Sequence, residues 1–517
     1  MRLLLPRGYD TITAGRPAGS RGARGCGMLF FEFSFPFCAD DIANGLFFRA
    51  DEVSSSCARG GRVSSDTYFN GVPLSVYAER CGMSFCEASV RLSGSGTLRW
   101  MLRSGRRRQV LARQTFSSGK ETVLSYRAEM RDLPPHSVLY FEAEGEVCVL
   151  GGGCRTDMPG RRVSLRLVFC TYRRERELRA NIGRIAPVLG EDMQVFVVDN
   201  GKTLGNDFPA YVTLIPNRNL GGSGGYARGM AEAMKDADAT HVLLMDDDIE
   251  VHPAVLKKTA ALLALCKDPS VNIGGSMLSL AERTAVRETG GHWDGFRLRA
   301  RAAGADVSSL RGLERNARAD GANYQAWWYM AIPLDTVRRE GLPMPMFIKS
   351  DDIEYSLRIR TPILTMNGIG VWHADFGGKF RPPLNYYIKR NELILNAVTG
   401  CRRGQHFAKK RLLYSFAKNL LLRNAEARAY VLRAYEDFLN GAEAFARSDA
   451  EQLNAVLFSS APDKSEGSVR RFFAVRRRLK REYAAAAESF RAAKPFLVSE
   501  EYWGPAFAGH LTKKGGV

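Results

Sequence analysis

The sequence lacks an apolar run of the length that a membrane-spanning helix needs, because no stretch approaches about 18 consecutive apolar residues. Leu3-Leu4-Leu5 is also too short to form the core of a signal peptide. Ten cysteines are present, but they form no CxxC pair and no repeating spacing, which argues against a zinc site. We therefore expect a cytoplasmic protein with reduced thiols.

The composition is that of a folded protein with several domains. Of 517 residues, 45% are hydrophobic and 25% are charged, so the chain can bury a large core, and its length suggests about three domains. The net charge of +19 favours anionic partners, but it is concentrated at the ends: residues 401–517 contain 22 Lys/Arg against 12 Asp/Glu. Because residues 28–400 are nearly balanced, we expect no nucleic-acid partner.

The N-terminal part divides into a leader and a β-rich domain. Residues 1–27 are rich in Arg and Gly without apolar periodicity, and we expect them to be a disordered leader. Residues 28–155 contain short β-forming runs, and Asn70-Gly71 between two such runs predicts a hairpin. We predict a β-sandwich or jelly roll here, with a packing or carbohydrate-contacting role.

Residues 160–400 change to apolar runs that alternate with helical stretches, the pattern of an α/β domain with a mainly parallel sheet. The predicted strands are 163–170, 193–198, 212–215 and 241–245, with helices at 175–189 and 226–235. Functional loops of such sheets lie at the carboxyl ends of the strands. Functional residues are therefore expected immediately after each strand.

The strand 241–245 runs directly into Asp246-Asp247-Asp248. Three adjacent carboxylates repel one another unless a cation neutralises them. In extended backbone Asp246 and Asp248 point the same way, so they can hold Mg²⁺ or Mn²⁺ and leave coordination sites for a diphosphate, while Asp247 points away. This pattern favours a metal site over a solvated acidic loop.

A glycine-rich loop, Asn217 to Gly229, precedes these acids and opens into a helix, where backbone amides suit an anion. Gly222-x-Gly224-x-x-Ala227 also fits a dinucleotide fingerprint, although Pro216 to Leu220 separates it from the preceding strand. Thr171 to Arg174 and Asp199 to Gly201 follow the first two strands, where a nucleotide would lie. Together these loops predict a phosphate-bearing ligand.

A second acidic pair, Asp351-Asp352, opens a predicted helix. One of these carboxylates can cap the helix, or it can remove a proton from an attacking sugar hydroxyl. His373 follows in Val371-Trp372-His373. It is either a structural histidine or a third metal ligand that supplies nitrogen.

Taken together, these clusters resemble the bacterial galactofuranosyltransferases of glycosyltransferase family two. The resemblance covers about residues 30–440. It implies a β-sandwich, then a GT-A nucleotide-sugar domain, which is a Rossmann-like α/β fold, and then a helical region. It implies a metal-dependent inverting transfer of galactofuranose from UDP-galactofuranose to a galactan or another cell-surface glycan. The positions that carry the resemblance are Thr171 to Arg174, Asp199 to Gly201, Asn219 to Gly225, Asp246 to Asp248, Trp327-Trp328, Phe347 to Arg358 and Trp372-His373.

The resemblance also implies roles for individual residues. Asp246, Asp248 and His373 would bind Mn²⁺ or Mg²⁺, Asp352 would be the catalytic base, and Asp351 would line the sugar and acceptor sites beside it. Donor contacts would come from the diphosphate-binding Arg174, from Trp327 and Trp328 at the sugar and acceptor sites, and from Asp199, Asn219, Gly221, Gly222 and Asp247. A rhamnosyl or other family-two transferase, or an inactive carbohydrate-binding protein on the same fold, stays open as an alternative.

Residues 401–517 read as a helical domain. Within 470–483, Phe472, Val475, Leu479 and Tyr483 share one helix face, and basic residues occupy the rest. This is either a packed helix with a solvated basic face or a helix lying on anionic lipid at the inner face of the cell membrane. The second alternative would suit a lipid-linked acceptor. Self-association into a homo-oligomer is compatible with the sequence.

Overall fold

The structure is a computed structural model that describes residues 27–37, 41, 45–295, 297–319, 321–375, 381–400 and 404–509. The predicted leader therefore lies outside the described residues, apart from its last residue. In the described part, strands predominate before residue 157, strands and helices alternate up to about residue 400, and helices follow.

Six strands lie in the described part of the N-terminal region, and three of them are unusually long. A short helical turn, Leu74–Val76, and a π-helical turn, Tyr77–Cys81, lie between the third and fourth strands. The strands are β1 Met28–Glu32, β2 Glu52–Val53, β3 Ala58–Ser64, β4 Phe85–Ser104, β5 Arg107–Glu129 and β6 Val138–Thr156.

The predicted β-sandwich is not confirmed, because the described strands of this region form one antiparallel sheet. The order is β2-β3-β6-β4-β5, with β1 also paired to β6. Along β4 alternate side chains such as Val90 and Trp100 are buried, as expected for a sheet with one covered face. The segment between β3 and β4 contacts the following domain: Tyr68 Oη donates to Ile369 O over 3.2 Å, and the Phe69 and Trp372 rings lie 5.6 Å apart.

The prediction of a hairpin at Asn70-Gly71 is wrong. Asn70 is fully buried, where its side-chain Nδ2 donates to Ser34 O and to Phe47 O. The residues after it bridge to β6 at Val72–Leu139 and then turn into a helix, so no strand pair surrounds the dipeptide. Asn70 therefore connects three loops by hydrogen bonds instead of forming a tight turn.

The middle region begins with a mixed seven-stranded sheet. Its order is β18-β12-β17-β10-β7-β8-β9, in which β10, β7, β8 and β9 are parallel and β17 is antiparallel to both of its neighbours. The predicted strands are confirmed within one or two residues. Its strands are β7 Leu165–Thr171, β8 Met193–Asp199, β9 Val212–Pro216, β10 His241–Asp246, β12 Asn272–Gly274, β17 Tyr329–Pro333 and β18 Ile363–Leu364.

Two smaller sheets complete the strands of the middle region. One has the order β11-β19-β13-β14, and the other pairs β15 with β16. The strands are β11 Ile249–Val251, β13 Ser276–Ser279, β14 Val286–Glu288, β15 Gly291–Trp293, β16 Leu298–Ala300 and β19 Gly370–His373.

Seven helices of four or more residues accompany these sheets in the described middle region. Their bounds are α1 Glu175–Ile185, α2 Gly221–Met234, α3 Pro253–Leu265, α4 Leu310–Ala317, α5 Leu334–Glu340, α6 Asp351–Ile359 and α7 Leu384–Val398. A 3₁₀ turn, Ala186–Val188, follows α1.

The C-terminal region is helical, as predicted. The four apolar residues of the 470–483 face are buried in the helical core, so this face is not available to a membrane. Among the described residues no helix combines the length and the apolar character that crossing a membrane needs. The helices are α8 Gly404–Leu421, α9 Ala425–Leu439, α10 Gly441–Arg447, α11 Ala450–Ser459, α12 Val469–Leu497 and α13 Glu500–Ala508, with a 3₁₀ turn at Lys464–Gly467.

The seven-stranded sheet separates two hydrophobic cores. Successive residues of a strand point to opposite faces, so Leu243 joins the core shared with the N-terminal sheet, whereas Leu244 joins the core shared with α2 and the C-terminal helices. The sheet is thereby held rigidly from both sides. Its carboxyl edge carries the acidic segment Asp246 to Asp248.

Candidate active site

Two sheets bring Asp246, Asp248 and His373 together. Asp246 ends β10, and β11 begins three residues later, where Ile249 pairs with His373 of β19. His373 Nε2 consequently lies 3.0 Å from Asp248 Oδ1 and 3.6 Å from Asp246 Oδ2. One possible ligand atom from each residue lies within 4.8 Å of the others.

His373 is oriented as a metal ligand would be. Its Nδ1 lies 2.6 Å from the carbonyl oxygen of Ala374, an acceptor, so Nδ1 carries the hydrogen and Nε2 faces the aspartates. Burial alone would lower the pKa of His373, but hydrogen bonds and the charges of Asp246 and Asp248 raise it to about 10. Two carboxylates and one imidazole form a donor set that suits Mn²⁺ and also accommodates Mg²⁺.

The acidic segment is not extended as predicted, because Asp247 and Asp248 lie in a turn, and Asp247 contacts β7. Thr171 Oγ1 donates to Asp247 Oδ2 over 2.8 Å, and Arg174 donates to Asp247 Oδ1 over 3.0 Å. The same Arg174 nitrogen lies 2.6 Å from Asp248 Oδ2. Burial raises the pKa of Asp247 to about 6, although Arg174 and Thr171 favour its ionised form. Arg174 thus links Asp247 and Asp248 to the loop that follows β7.

The second acidic pair lies at the start of α6, which confirms the predicted helix start. The preceding loop is unusual, because Phe347, Lys349 and Ser350 all have φ near +70°. Asn391 of α7 stabilises this loop: its Nδ2 lies 2.8 to 3.0 Å from the carbonyl oxygens of Met346, Ile348 and Lys349. A strained loop that is held so closely indicates a functional position.

Asp352 has its own hydrogen-bond partners. Its Oδ1 accepts from the Ile353 amide over 2.8 Å, and its Oδ2 accepts from the Tyr324 hydroxyl over 3.2 Å. Burial raises the pKa of both Asp351 and Asp352 above the ordinary aspartate range, and the charge of Asp352 adds to the effect on Asp351. A carboxylate with a raised pKa is a better proton acceptor.

Glu288 of β14 is a further buried acid in this neighbourhood. Burial, with a contribution from the charge of Asp352, raises the pKa of Glu288 to about 8. Its Oε1 has no hydrogen-bond partner among the described residues. The sequence analysis missed both Glu288 and Tyr324, because neither belongs to a recognisable motif.

A cleft of about 280 Å³ opens beside the first acidic cluster. Asn219 lines it and accepts from the Gly221 amide over 3.2 Å, at the start of α2. At Gly221 φ is +70°, and a Cβ would lie 2.2 Å from Phe347 O, so only glycine allows the two loops to meet. The cleft is lined by Arg174, Asn200, Asn219, Gly221, Gly222 and Asp246, among others.

Asp199 follows β8 at the same edge of the sheet, but it binds its own loop. Its Oδ1 accepts from the Gly201 amide, and its Oδ2 accepts from the amides of Thr203 and Leu204, all at 2.8 or 2.9 Å. The neighbouring Asn200 lines the cleft instead. A direct contact between Asp199 and a nucleotide stays a prediction.

Trp327 and Trp328 are both buried behind the metal-site residues. Trp328 Nε1 donates to Gly275 O over 3.1 Å, and its ring centroid lies 6.3 Å from that of His373. The Trp327 ring packs against Tyr226, whose hydroxyl donates to Asp246 Oδ1 over 2.6 Å. The two tryptophans therefore support the ligands, and a contact with sugar stays a prediction.

The chain is similar to known glycosyltransferases. Residues 166–373 match the family model described as glycosyltransferase like family 2, an interval that begins in β7 and ends at His373. The chain is similar to the galactofuranosyltransferase GlfT2 of Mycolicibacterium smegmatis, with 28% identity over 305 residues, covering 52% of this chain and 44% of that protein. It is 32% identical over 215 residues to GlfT2 of Mycobacterium tuberculosis, covering 37% and 34% respectively.

The chain thus spans less than half the length of both curated relatives. Among solved structures, a mannosyltransferase from Pyrobaculum calidifontis in complex with GDP-Man and Mn²⁺ is 14% identical, with a TM-score of 0.31, covering 65% of this chain and 90% of that one. S. aureus TarS in complex with UDP-GlcNAc is also 14% identical, with a TM-score of 0.37, covering 64% and 92%. Both TM-scores are too low to define a shared fold.

The match over residues 166–373 and the mixed sheet agree with the GT-A glycosyltransferase domain that the sequence predicts. The resemblance to galactofuranosyltransferases is confirmed by the two curated relatives.

Proposed function

We propose that this chain, whose residues 166–373 are a family 2 glycosyltransferase domain, is a metal-dependent inverting glycosyltransferase that uses a UDP-sugar. The observation that carries the proposal is the position of Asp246, Asp248 and His373 at the carboxyl edge of the sheet, in a domain that also holds the adjacent acids Asp351 and Asp352. A metal site and a proton acceptor are the two parts that such a transfer needs.

The three residues Asp246, Asp248 and His373 would hold Mn²⁺ or Mg²⁺, whose positive charge would stabilise the leaving diphosphate. Arg174 would then exchange part of its contact with Asp247 and Asp248 for the diphosphate, since its guanidinium can form paired hydrogen bonds with phosphate. Asn219 and Gly221 line the adjacent cleft, where the nucleotide would lie.

Asp352 would act as the base. Its carboxylate takes the proton from the acceptor hydroxyl as that oxygen attacks the anomeric carbon of the donor sugar. The bond between the anomeric carbon and the diphosphate oxygen breaks, and UDP leaves with the electron pair. Attack on the face opposite to UDP inverts the configuration at the anomeric carbon. Tyr324 orients the carboxylate through its hydrogen bond to Oδ2.

The proposed donor is UDP-galactofuranose and the proposed acceptor is a galactan or a related glycan, since both curated relatives are named galactofuranosyltransferases. UDP release should be measured with UDP-galactofuranose, UDP-galactopyranose and dTDP-rhamnose, each with and without a galactan oligosaccharide. Preference for UDP-galactofuranose supports the proposal, and preference for dTDP-rhamnose would identify a rhamnosyl transferase instead. Release of nucleotide from none of them, with tight donor binding, would instead indicate an inactive binding protein.

A further inference from the structure

A second cleft lies between the middle region and the C-terminal helices. Its volume is about 940 Å³, which falls in the range of about 300–1,000 Å³ that is typical of clefts for small molecules. It is formed by the ends of α5, α6 and α7 and by the junction of α12 with α13. It shares no lining residue with the cleft beside the first acidic cluster.

Basic side chains dominate the charged lining of this second cleft. The lining contains five basic residues and two acidic ones, Glu340 and Glu500. Arg339 Nε lies 2.9 Å from Glu340 Oε1, and Arg338 pairs with Asp335 at the same distance. The basic residues come from α5, from the end of α6 and from α12, so their charges converge on a concave surface. They are Arg338, Arg339, Arg358, Arg360 and Lys494.

Glu354 lies behind the cleft and is already paired with Arg358. The Glu354 side chain is fully buried, and its two oxygens accept from Arg358 Nε and Nη2 over 2.9 and 3.1 Å. Arg358 also donates to the carbonyl oxygens of Glu340 and Leu342. The Arg358 guanidinium is therefore fixed in position, and its charge is balanced within the fold.

Lys494 and Arg360 add positive charge that the nearby carboxylates do not fully balance. Lys494 Nζ lies 3.6 Å from Glu354 Oε1, which is longer than a usual hydrogen bond. Arg360 is exposed at the end of α6 and forms no ion pair with the described residues. Burial lowers the pKa of Lys494; Glu354 opposes this effect, and the charges of Arg358 and Arg360 add to it. Two cations thus lie beside a carboxylate that a third cation already occupies.

The backbone at Arg360 is also unusual. Its φ is +50°, in the left-handed region that residues other than glycine rarely adopt. Glycine or asparagine would adopt this conformation at lower cost. Strained backbone of this kind is concentrated at functional positions, and Arg360 lines the cleft.

We propose that this second cleft binds a small molecule that carries a diphosphate or triphosphate group. Lys494 and Arg360 would contact the phosphate oxygens, because ammonium and guanidinium groups form charge-assisted hydrogen bonds with phosphate. A multivalent anion suits the cleft better than a monovalent one, because basic residues from three elements surround it. Leu357, Val398 and Pro495 line the same cleft and would contact the rest of the ligand.

The proposal does not depend on which sugar the catalytic domain transfers. The second cleft and the acidic pair belong to opposite ends of α6, because Asp351 begins this helix and Ile359 ends it. Binding at the cleft can be measured without a metal and without a sugar donor. Failure of this proposal is therefore distinguishable from failure of the proposed function.

The test is calorimetric titration of the full chain in EDTA, with inorganic pyrophosphate, ATP and adenosine as separate probes. We expect pyrophosphate and ATP to bind and adenosine not to bind. Tighter binding of ATP would support a contribution from the apolar lining, and equal binding would support recognition of the phosphates alone. Absence of binding by both phosphate compounds would overturn the proposal.

The double variant Arg360→Asn/Lys494→Met should weaken the binding of both phosphate compounds by about tenfold or more. Asparagine tolerates the backbone conformation at Arg360, and methionine keeps much of the apolar length of Lys494. The single variant Arg360→Asn changes only an exposed residue, so it keeps the test open if the double variant does not fold. It should weaken binding by about threefold or more.

The matched control is Arg423→Asn/Lys480→Met. Arg423 has φ of +52°, and both residues are exposed and lie outside the cleft, so the control removes the same two charges from similar positions. It should bind both phosphate compounds like the wild type. Arg174→Gln, in the donor cleft, should also leave this binding unchanged. Loss of binding in Arg174→Gln, with full binding in Arg360→Asn/Lys494→Met, would place the phosphates in the donor cleft and contradict the proposal.

Lysine acetylation locates the bound anion directly. Limited acetylation followed by mass spectrometry should modify Lys494 less when pyrophosphate is present, whereas the modification of Lys480 should not change. Equal modification of Lys494 with and without saturating pyrophosphate would show that the anion binds elsewhere and would overturn the proposal.

Discussion

Tyr324 donates its hydroxyl hydrogen to Asp352 Oδ2 over 3.2 Å, and this bond favours the ionised carboxylate. Burial raises the pKa of Asp352, so kcat/KM should fall as the pH drops through a value above that of an ordinary aspartate. Tyr324→Phe removes the hydrogen bond and should raise that pKa further. The acidic limb of the pH profile should then move to higher pH by about one unit.

The matched control for this change is Tyr435→Phe. Tyr435 is also buried, and its hydroxyl donates to Ala408 O over 3.1 Å in the helical region, far along the chain from the acids. Its pH profile should match that of the wild type. An unmoved acidic limb in Tyr324→Phe would mean that Asp352 does not set the profile.

The metal site supplies a second prediction. Addition of EDTA should abolish transfer, and Mn²⁺ or Mg²⁺ should restore it. His373→Ala removes the nitrogen ligand and should weaken Mn²⁺ binding by at least about tenfold, measured by electron paramagnetic resonance without any substrate. His136→Asn is the control, since His136 has φ of +56°, which asparagine tolerates. Full activity in a metal-stripped sample would contradict the assignment.

A third prediction concerns Asn391, which bonds to three carbonyl oxygens of the loop before Asp351. Asn391→Ala leaves these acceptors without that donor and allows the loop to shift. Displacement of a catalytic group by about 1 Å can cost about a hundredfold in rate, so turnover should fall by up to that factor while Mn²⁺ affinity stays unchanged.

Asn396 on the same helix provides the comparison. It is buried, and neither its side-chain nitrogen nor its side-chain oxygen has a hydrogen-bond partner among the described residues. Asn396→Ala should therefore leave turnover near the wild-type value. Equal losses in the two variants would indicate a general effect of altering α7 and not a specific effect on the loop.

Lys258 provides a prediction about stability. It lies on α3 and is buried against the N-terminal region, where its Nζ donates to Phe69 O, and burial lowers its pKa to about 7. The unfolded chain keeps this proton up to about pH 10.4, so between these values the unfolded state binds more protons. The contribution of Lys258 to the free energy of unfolding should therefore rise with pH, by up to about 1.4 kcal/mol per unit.

The measurement is chemical unfolding of the wild type and Lys258→Met between pH 7 and 10. Other groups also titrate in this range, so the difference between the two proteins is the quantity of interest. We expect Lys258→Met to have the larger free energy of unfolding near pH 7, and we expect its difference from the wild type to decrease as the pH rises. A difference that is independent of pH would show that Lys258 has an ordinary pKa in the folded protein.

The proximity of Asp246, Asp248 and His373 could be anticipated because local rules determine much of it. Parallel strands expose their carboxyl ends at one edge, which places the acids after β10 there, although Asp247 and Asp248 form a turn instead of the predicted extended backbone. The pairing of Ile249 with His373 could not be read locally, since it joins strands more than 120 residues apart. The assignment of His373 as a metal ligand therefore rested on the resemblance to a family.

Other features depend on tertiary contacts that leave no local signal. Asn70-Gly71 has the composition of a hairpin, yet Asn70 is fully buried and binds Ser34 and Phe47. The alternation along β4 predicts one buried face but does not say whether a sheet or another domain covers it. Tyr324 and Asn391 reach the site from distant segments, so neither forms a motif with Asp352.

The most direct test of the account is the turnover of Asp352→Asn, measured by UDP release at saturating UDP-galactofuranose, together with donor affinity by calorimetry. The substitution keeps the size of the side chain and removes the proton acceptor. We predict a rate lower by about a hundredfold to ten-thousandfold, with donor affinity near that of the wild type. Near-normal turnover, or a loss of donor binding as large as the loss of rate, would contradict the assignment of Asp352 as the base.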